Sequence, residues 1–347
     1  MNVQQVLGAV GPFDAVTNQG LAFRRLFRSW GWGGEDVAEF VAPGMPRGTI
    51  RPARSLRPEP DDVILLHYSG YTPRLEGLLE LPNRKMLLSH NVTPARYFWP
   101  FEPVEGVRCA LAPGQLAEMA LGADLAAGVS RFNAEDLRDF GVDSPEVIPV
   151  LFDRSRLGAP ADPPTGPPTI LFVGRLAPHK RQDLIIRAFA LYRRERAPDA
   201  RLVLVGNPIS PRFGRMLREL ADDLAPAAVQ FESDVATERL WDHYRSAHAF
   251  LCLSEHEGFC VPLLEAFHFG VPVIAQPAGG IREVAGDAAI LTSADDLAVI
   301  AELLHLAVTD QELRTQLRRR GEPRLETYSY DRTAARLRDA LERVAAG

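Results

Sequence analysis

The stretch LSEHEGFCVPLLEAFHFGVPVIA, residues 253–275, carries a strand end, a loop, a helix and a second strand in one short span. The apolar run HAFLCLS (248–254) ends near Leu253, and VPVIAQ (271–276) is again short and rich in β-branched residues. Between them Pro262 stands where a helix begins, a place where its missing N–H leaves no intrahelical bond unmade. A buried apolar strand, a helix and another buried apolar strand form the unit of a parallel sheet covered on both faces.

The same alternation extends outward. TILFVG (169–174) and ARLVLVG (200–206) are further apolar strands, with the helical QDLIIRAFALYRRERA (182–197) between them. VILLH (63–67) and KMLLSH (85–90) repeat the pattern in the first half. The two series are separated by GAPADPPTGPPT (158–169), whose five prolines and two glycines read as a stiff, exposed connection. The expected organisation is one α/β domain over 1–160, a Pro-rich linker at 161–168 and a second α/β domain over 169–325. A closing helix at 326–347 is expected to return to the first domain. At 347 residues, two domains are the default.

Bulk properties exclude several classes of function. The net charge is −6, and each half carries about −3, so neither half is a basic domain of the kind that grips nucleic acid. Cys109, Cys252 and Cys260 form no CxxC pair and no metal-type spacing, which fits a reducing compartment better than a disulfide framework. The opening MNVQQVLGAVGPFDAV lacks the pattern of a secretory leader, and no run approaches the ~20 apolar residues of a membrane span. A cytoplasmic location is the expectation.

In open α/β sheets ligands sit outside the carboxyl ends of the strands, so the loops after the strands are the ones to read. Residues 258–261 lie just ahead of a helix N-terminus, where Gly258 permits close approach and the helix dipole favours an anion. A diphosphate suits that place. Glu257 precedes the helix and Glu265 lies about one turn into it, so the two carboxylates can reach different parts of one elongated ligand. GRLAPHK (174–180) supplies a tight turn at Gly174 and two cations, Arg175 with a planar fork and Lys180 with a point charge. Such a set neutralises a departing diphosphate without a metal, and no Asp-x-Asp pair stands at a strand end to hold magnesium. No metal and no cofactor are expected. Singly these charges also fit a solvated surface; all four together at strand ends do not.

GRLAPHKRQDLIIRAFA (174–190) and EHEGFCVPLLEAFHFGVPVIAQPAGGIREVAGDAAIL (255–291) together resemble the C-terminal domain of GT-B glycosyltransferases of family 4. The shared pattern is E-G-F-x-x-P-x-x-E-A, preceded far upstream by G-R-x-x-x-x-K, and the resemblance is dense over roughly 169–330. It implies two Rossmann-like, doubly wound domains facing across a cleft, and transfer of a sugar from a nucleotide-diphosphate donor with retention at the anomeric carbon. It further implies that Glu257 lies near the transferred sugar, that Glu265 holds the ribose hydroxyls, and that Arg175 and Lys180 hold the diphosphate. Phe259, Cys260 and Val261 complete the donor loop, while Asn207 and Val235 are expected to flank the base. Cys260 departs from the glycine of many members and can tighten the sugar pocket. The segment from Gly279 to Asp287 also matches the family.

The first half matches less closely. Within GAVGPFDAVTNQGLAFRRLFRSWG (8–31), Asn18 reads as the cap of a helix beginning near Gln19, with contact to acceptor or phosphate as the alternative. His90, at the end of KMLLSH, matches the family's histidine beside the transferred sugar; His67 ends the neighbouring strand, with function and structure evenly balanced. The aromatics of RYFWPFEP (96–103) read as loop packing more than as an acceptor groove. Arg47, Arg51, Arg54 and Arg57, and the basic amphipathic FRRLFRSW (23–30), offer peripheral contact with an anionic inner membrane face, against a solvated loop as the plainer reading.

The expected activity is hexosyl transfer from a UDP- or GDP-sugar to a saccharide or lipid-linked acceptor in bacterial polysaccharide or glycolipid assembly. A nucleotide-sugar epimerase and a non-catalytic nucleotide-sugar-binding partner are the competing readings. A dehydrogenase is disfavoured because GAVGPFDAV lacks the GxGxxG spacing.

Overall fold

A computed structural model describes residues 1–347 except Phe13, Arg47, Arg74 and Pro163. The chain divides into two compact units: residues 1–96, 103–152 and 328–347, and residues 97–102 and 153–327.

The first unit contains β1 (Val3–Val10), α1 (Ala15–Ser29), β2 (Asp36–Val41), β3 (Arg51–Pro52), β4 (Val63–Tyr68) and β5 (Lys85–Ser89), then α2 (Pro103–Leu121), β6 (Leu125–Gly128), α3 (Arg131–Asp139) and β7 (Glu146–Val147). Among the described residues its strands form one parallel sheet ordered β3-β2-β1-β4-β5-β6-β7. Parallel strands are buried on both faces, and accordingly Ile64, Leu65, Leu87 and Leu88 are shut from solvent. The order reverses between β1 and β4, the switch point at which doubly wound sheets bind ligands.

Helix α1 begins earlier than the sequence suggests. Asp14, not Asn18, is the cap: its carboxylate accepts from Thr17 N at 2.7 Å, and Asn18 lies exposed within the first turn. Both residue types cap well, and Asp14 wins because it stands three residues before an N–H that needs a partner.

The second unit contains β8 (Thr169–Val173), α4 (Gln182–Glu195), β9 (Arg201–Val205), α5 (Pro211–Leu224), β10 (Val229–Glu232), α6 (Thr237–Ser246), β11 (Ala249–Cys252), α7 (Val261–His268), β12 (Val273–Ala275), α8 (Ile281–Ala285), β13 (Ile290–Leu291), α9 (Leu297–Thr309) and α10 (Gln311–Thr327). Its parallel sheet is ordered β10-β9-β8-β11-β12-β13, with the switch point between β8 and β11. Ile185 and Phe189 of α4 and Ile300 and Leu304 of α9 pack on Ile170, Leu202 and Leu251 of the strands. Each such side chain contributes about 1.5–3 kcal/mol by leaving water.

The boundary between the units falls after Phe152, upstream of the linker expected at 161–168. The connection is anchored to the second unit at its start, where His268 Nε2 meets Gly158 O at 2.9 Å and Arg245 donates to Ala159 O at 3.0 Å. Residues 97–102 also pack with the second unit: Phe101 meets Phe213 edge-on at 4.9 Å, and Phe98 lies 5.8 Å from the His179 ring. The last helix, α11 (Tyr330–Ala346), packs on β4 and β5 of the first unit, burying Leu337 and Leu341.

The apolar side of 23–30 is taken up by the core, while Arg25 and Arg28 stay exposed. Phe23 and Phe27 are core residues, and Arg24 is buried with its guanidinium on Asp36 at 2.8 Å. Of the arginine set, Arg51 pairs with Glu35 at 2.5 Å and Arg57 donates to Leu56 O at 2.6 Å, while Arg47 lies outside the described residues. Among the described residues no helix is long and apolar enough to cross a membrane.

Candidate functional site

In the second unit, β8 and β11 deliver two loops to the switch point. After β8 comes Gly174, then Arg175, then a 3-10 turn at Pro178–Lys180 that hands over to α4 through Arg181, held left-handed at φ 52°. After β11 comes the run from Leu253 to Cys260, which caps α7 in the left-handed region at φ 74°. Val261 is the first helical residue and Pro262 the second, one place later than the sequence reading put it. The loops are tied by Glu255 N donating to His179 O at 2.8 Å and by an ion pair of Arg181 with Glu255.

Lys180 and Glu257, seventy-seven positions apart, form a direct ion pair, and both side chains are largely buried. Burial pulls the Lys180 ammonium down, but the charge of Glu257 and the adjacent thiols outweigh it, so its proton is held more firmly than usual. Cys252 Sγ and Cys260 Sγ approach to 4.0 Å beside this pair. That contact draws the Cys252 thiol down, and with burial it pushes Cys260 up. Cys252, Glu257 and Cys260 place three ligand-type atoms within 4.8 Å of one another, a grouping that sequence spacing did not suggest. Lys180 already supplies Glu257 with a cation there.

Glu265, on α7, accepts from Tyr244 of α6 at 2.6 Å. Burial raises the Glu265 carboxyl above the usual range, and the Tyr244 hydroxyl opposes the shift. Tyr244 is fixed by stacking on Phe269 at 5.4 Å with planes 9° apart. Arg175 is exposed and forms no ion pair among the described residues, so its fork is uncommitted. At the ends of β9 and β10, Asn207 donates to Asp234 at 2.7 Å, with half-buried Val235 next in sequence. Gly258 and Phe259 are buried. A close backbone approach locks this loop: a Cβ at Gly279 would lie 2.2 Å from Glu257 O, and one at Gly280 would lie 2.3 Å from Gly258 O.

The first unit places His67 and His90 together at the ends of β4 and β5. His67 Nδ1 meets His90 Nε2 at 3.0 Å, with the rings stacked at 5.2 Å between centroids. Burial lowers His90 to about 3, and burial followed by the neighbouring His90 takes His67 well below its ordinary value. Both rings are therefore neutral at physiological pH. Among the described residues, Asn18 joins neither group by a hydrogen bond.

Tyr244, Gln5 and His179 escaped the sequence reading. Tyr244 sits in α6 with no motif around it, and Gln5 stands inside a strand. His179 touches both Tyr97 and Phe98, its buried Nδ1 is unpartnered among the described residues, and burial lowers it well below its ordinary value.

Residues 153–324 match the family model described as glycosyl transferases group 1. Among curated proteins, D-inositol 3-phosphate glycosyltransferase of Salinispora arenicola is 32% identical over 235 residues, covering 63% of this chain and 52% of that protein. The enzyme of the same name from Acidothermus cellulolyticus is 34% identical over 200 residues, covering 54% and 44%. The chain thus spans about half the length of the curated relatives it matches. Two solved structures cover 99% of this chain and 99% of their own: sucrose-phosphate synthase from Thermosynechococcus elongatus (TM-score 0.76, 17% identity) and Anabaena Alr3699/HepE in complex with UDP-glucose (TM-score 0.74, 16% identity). At those identities the likeness shows the fold, two Rossmann-like units of the GT-B type. Through residues 153–324, the chain belongs to the glycosyl transferases group 1 family.

Proposed function

We propose that the protein transfers a hexosyl group from a nucleotide-diphosphate sugar, with UDP or GDP as the nucleotide, to an acceptor hydroxyl with retention of configuration. The observation that carries this reading is the Lys180–Glu257 ion pair at the second switch point, with Glu265 one turn deeper into α7. With a diphosphate beside the start of α7, Lys180 gains a second anion to hold, and Glu257 turns toward the hydroxyls of the sugar. Glu265, oriented by Tyr244, accepts from the ribose hydroxyls, while Asn207 and Val235 flank the base.

In the reaction the bond from the anomeric carbon to phosphate oxygen breaks as the acceptor oxygen bonds that carbon on the same face. The acceptor's proton passes to the departing phosphate oxygen, so no separate base is required. Lys180, the uncommitted Arg175 and the N-terminus of α7 stabilise the charge that develops on the diphosphate, a task for fixed positive groups and no metal. Within the first unit, His90 accepts a hydrogen bond from a saccharide hydroxyl. The acceptor is a saccharide or a lipid-linked glycan, and the relatives named for inositol 3-phosphate add phosphorylated cyclitols to the panel to test.

The test is a thermal-shift series with UDP, GDP, ADP, dTDP and their sugars. A true donor nucleotide at ~100 Kd should stabilise the fold by about 2.7 kcal/mol. If no nucleotide raises the melting temperature, the reading fails.

A further inference from the structure

The histidine pair of the first unit ends a chain of hydrogen bonds whose direction is fixed at every link. Its origin is Arg24, whose guanidinium donates to Asp36 Oδ1 from Nε at 3.0 Å and from Nη2 at 2.8 Å. Gln5, fully buried in β1, sets one end of its amide against two groups that only accept: Asp36 Oδ1 at 2.7 Å and Gly20 O at 3.0 Å. That end must be the NH2, because an oxygen there would face two acceptors. The Gln5 oxygen consequently faces His67 Nε2 at 2.9 Å, and only an N–H can answer it.

A neutral imidazole carries one proton, so His67 Nδ1 is left as a lone pair. His90 Nε2, 3.0 Å away, must then be the donor of that contact. The sole proton of His90 is spent inward, and Nδ1 remains as an acceptor. Among the described residues Nδ1 has no partner, and the half-buried ring stands at the end of β5, one strand from the switch point.

We propose that Gln5 and His67 are positioning residues that hold His90 in its Nε2–H tautomer, so that Nδ1 accepts a hydrogen bond from a hydroxyl of a saccharide bound at the ends of β4 and β5. This rests on the reading of His90 as a sugar contact. It makes the histidine an acceptor alone: it orients a hydroxyl and has no proton to give a leaving group. The device follows from burial, since a solvent-exposed imidazole would sample both tautomers, whereas this one is committed by four successive links reaching back to a buried ion pair.

The tautomer is read in the full chain labelled with ring-15N histidine, using long-range nitrogen–proton correlations and assigning signals with His90→Asn and His67→Asn. The expected wild-type spectrum has the Nε2–H form for both histidines; an Nδ1–H form of His90 overturns the relay without reference to any activity. His67→Asn places an amide oxygen where Nδ1 was and should keep His90 in the same tautomer. His67→Leu removes the acceptor and should mix the two forms. If the positioning role holds, the Leu variant loses about tenfold in kcat/KM, the worth of one good hydrogen bond, and the Asn variant stays within about threefold of wild type. Unchanged turnover in a Leu variant whose His90 tautomer has become mixed overturns the positioning role. Absence of sugar transfer by the wild-type protein would instead count against the proposed function, while the spectrum still judges the relay.

Discussion

The two switch points handle buried polarity in opposite ways. In the second unit, Lys180 and Glu257 keep full charges and cancel each other across a loop pair, with Arg181 and Glu255 repeating the device nearby. In the first unit, His67 and His90 meet the same burial by giving up charge, and their contact is ordered by the direction of a hydrogen-bond chain. The difference teaches what each surface is suited to hold. A charged pair has something to offer an incoming anion, because each member can exchange its partner for a ligand at little net cost. A neutral pair can offer only directional hydrogen bonds, the currency of hydroxyl groups.

The strongest way to break that contrast is to delete one charge. Lys180→Ala should lower kcat by about a thousandfold, as loss of a donor to developing negative charge does elsewhere. Initial rates with the donor found by thermal shift check this; turnover near wild type would show that the pair is structural.

Acid should test the neutral pair next. Histidines whose folded values are depressed bind fewer protons folded than unfolded, so their contribution is intact above about 6.5 and is lost as pH falls toward the folded value, about 3 for His90. Each such histidine costs about 1.4 kcal/mol per pH unit in that window. Glu232, lowered to about 2 chiefly by its hydrogen bond from Arg239, begins to matter only below about 4.5, and Asp136, raised to about 6 by burial, works with the opposite sign, so the loss between 6.5 and 5.5 belongs to the depressed histidines, with His179, His248 and His268 of the second unit adding to the pair. Urea midpoints at pH 6.5 and 5.5 should fall with acid, and less steeply in His67→Asn; an equal slope in both proteins would break the assignment.

Within the second unit, Glu265→Ala should raise the donor KM about tenfold with kcat little changed, the sign of lost uniform binding. Tyr244→Phe should move KM the same way by less. A fall in kcat instead would place Glu265 with Lys180 among the groups that act on the transition state. Smallest of all, Arg51→Ala removes an exposed pair with Glu35 and should shift stability by under about 1 kcal/mol, measured by thermal unfolding.

The sequence already marked the four charged residues of the second unit, because Arg175, Lys180 and Glu257 lie in loops that follow apolar strands, whose period-free runs announce a buried parallel sheet, and Glu265 lies in the helix that the second of those loops begins. Glu257 and Glu265 are locked to α7 by local spacing, and Pro262 marks its start to within one residue. What stayed hidden depends on partners far away in the chain. Tyr244 gains meaning only when α6 lies against α7, and Gln5 looks like a flaw in a strand until β2 brings Asp36 and β4 brings His67. Residues 97–102 lie in the first half of the chain yet pack with the second unit, which no composition shift foretold. Asn18 read as the cap from sequence, and only the backbone path showed that Asp14 takes that place.

The closeness of Gly279 and Gly280 to the carbonyls of Glu257 and Gly258 has a consequence for anyone redesigning this protein. The two segments are separate in sequence but are one moulded part, so a loop borrowed from a relative to change sugar preference must bring its matching turn with it. Swapped singly, either half would inherit the wrong neighbour; exchanged together, they form a transplantable cassette.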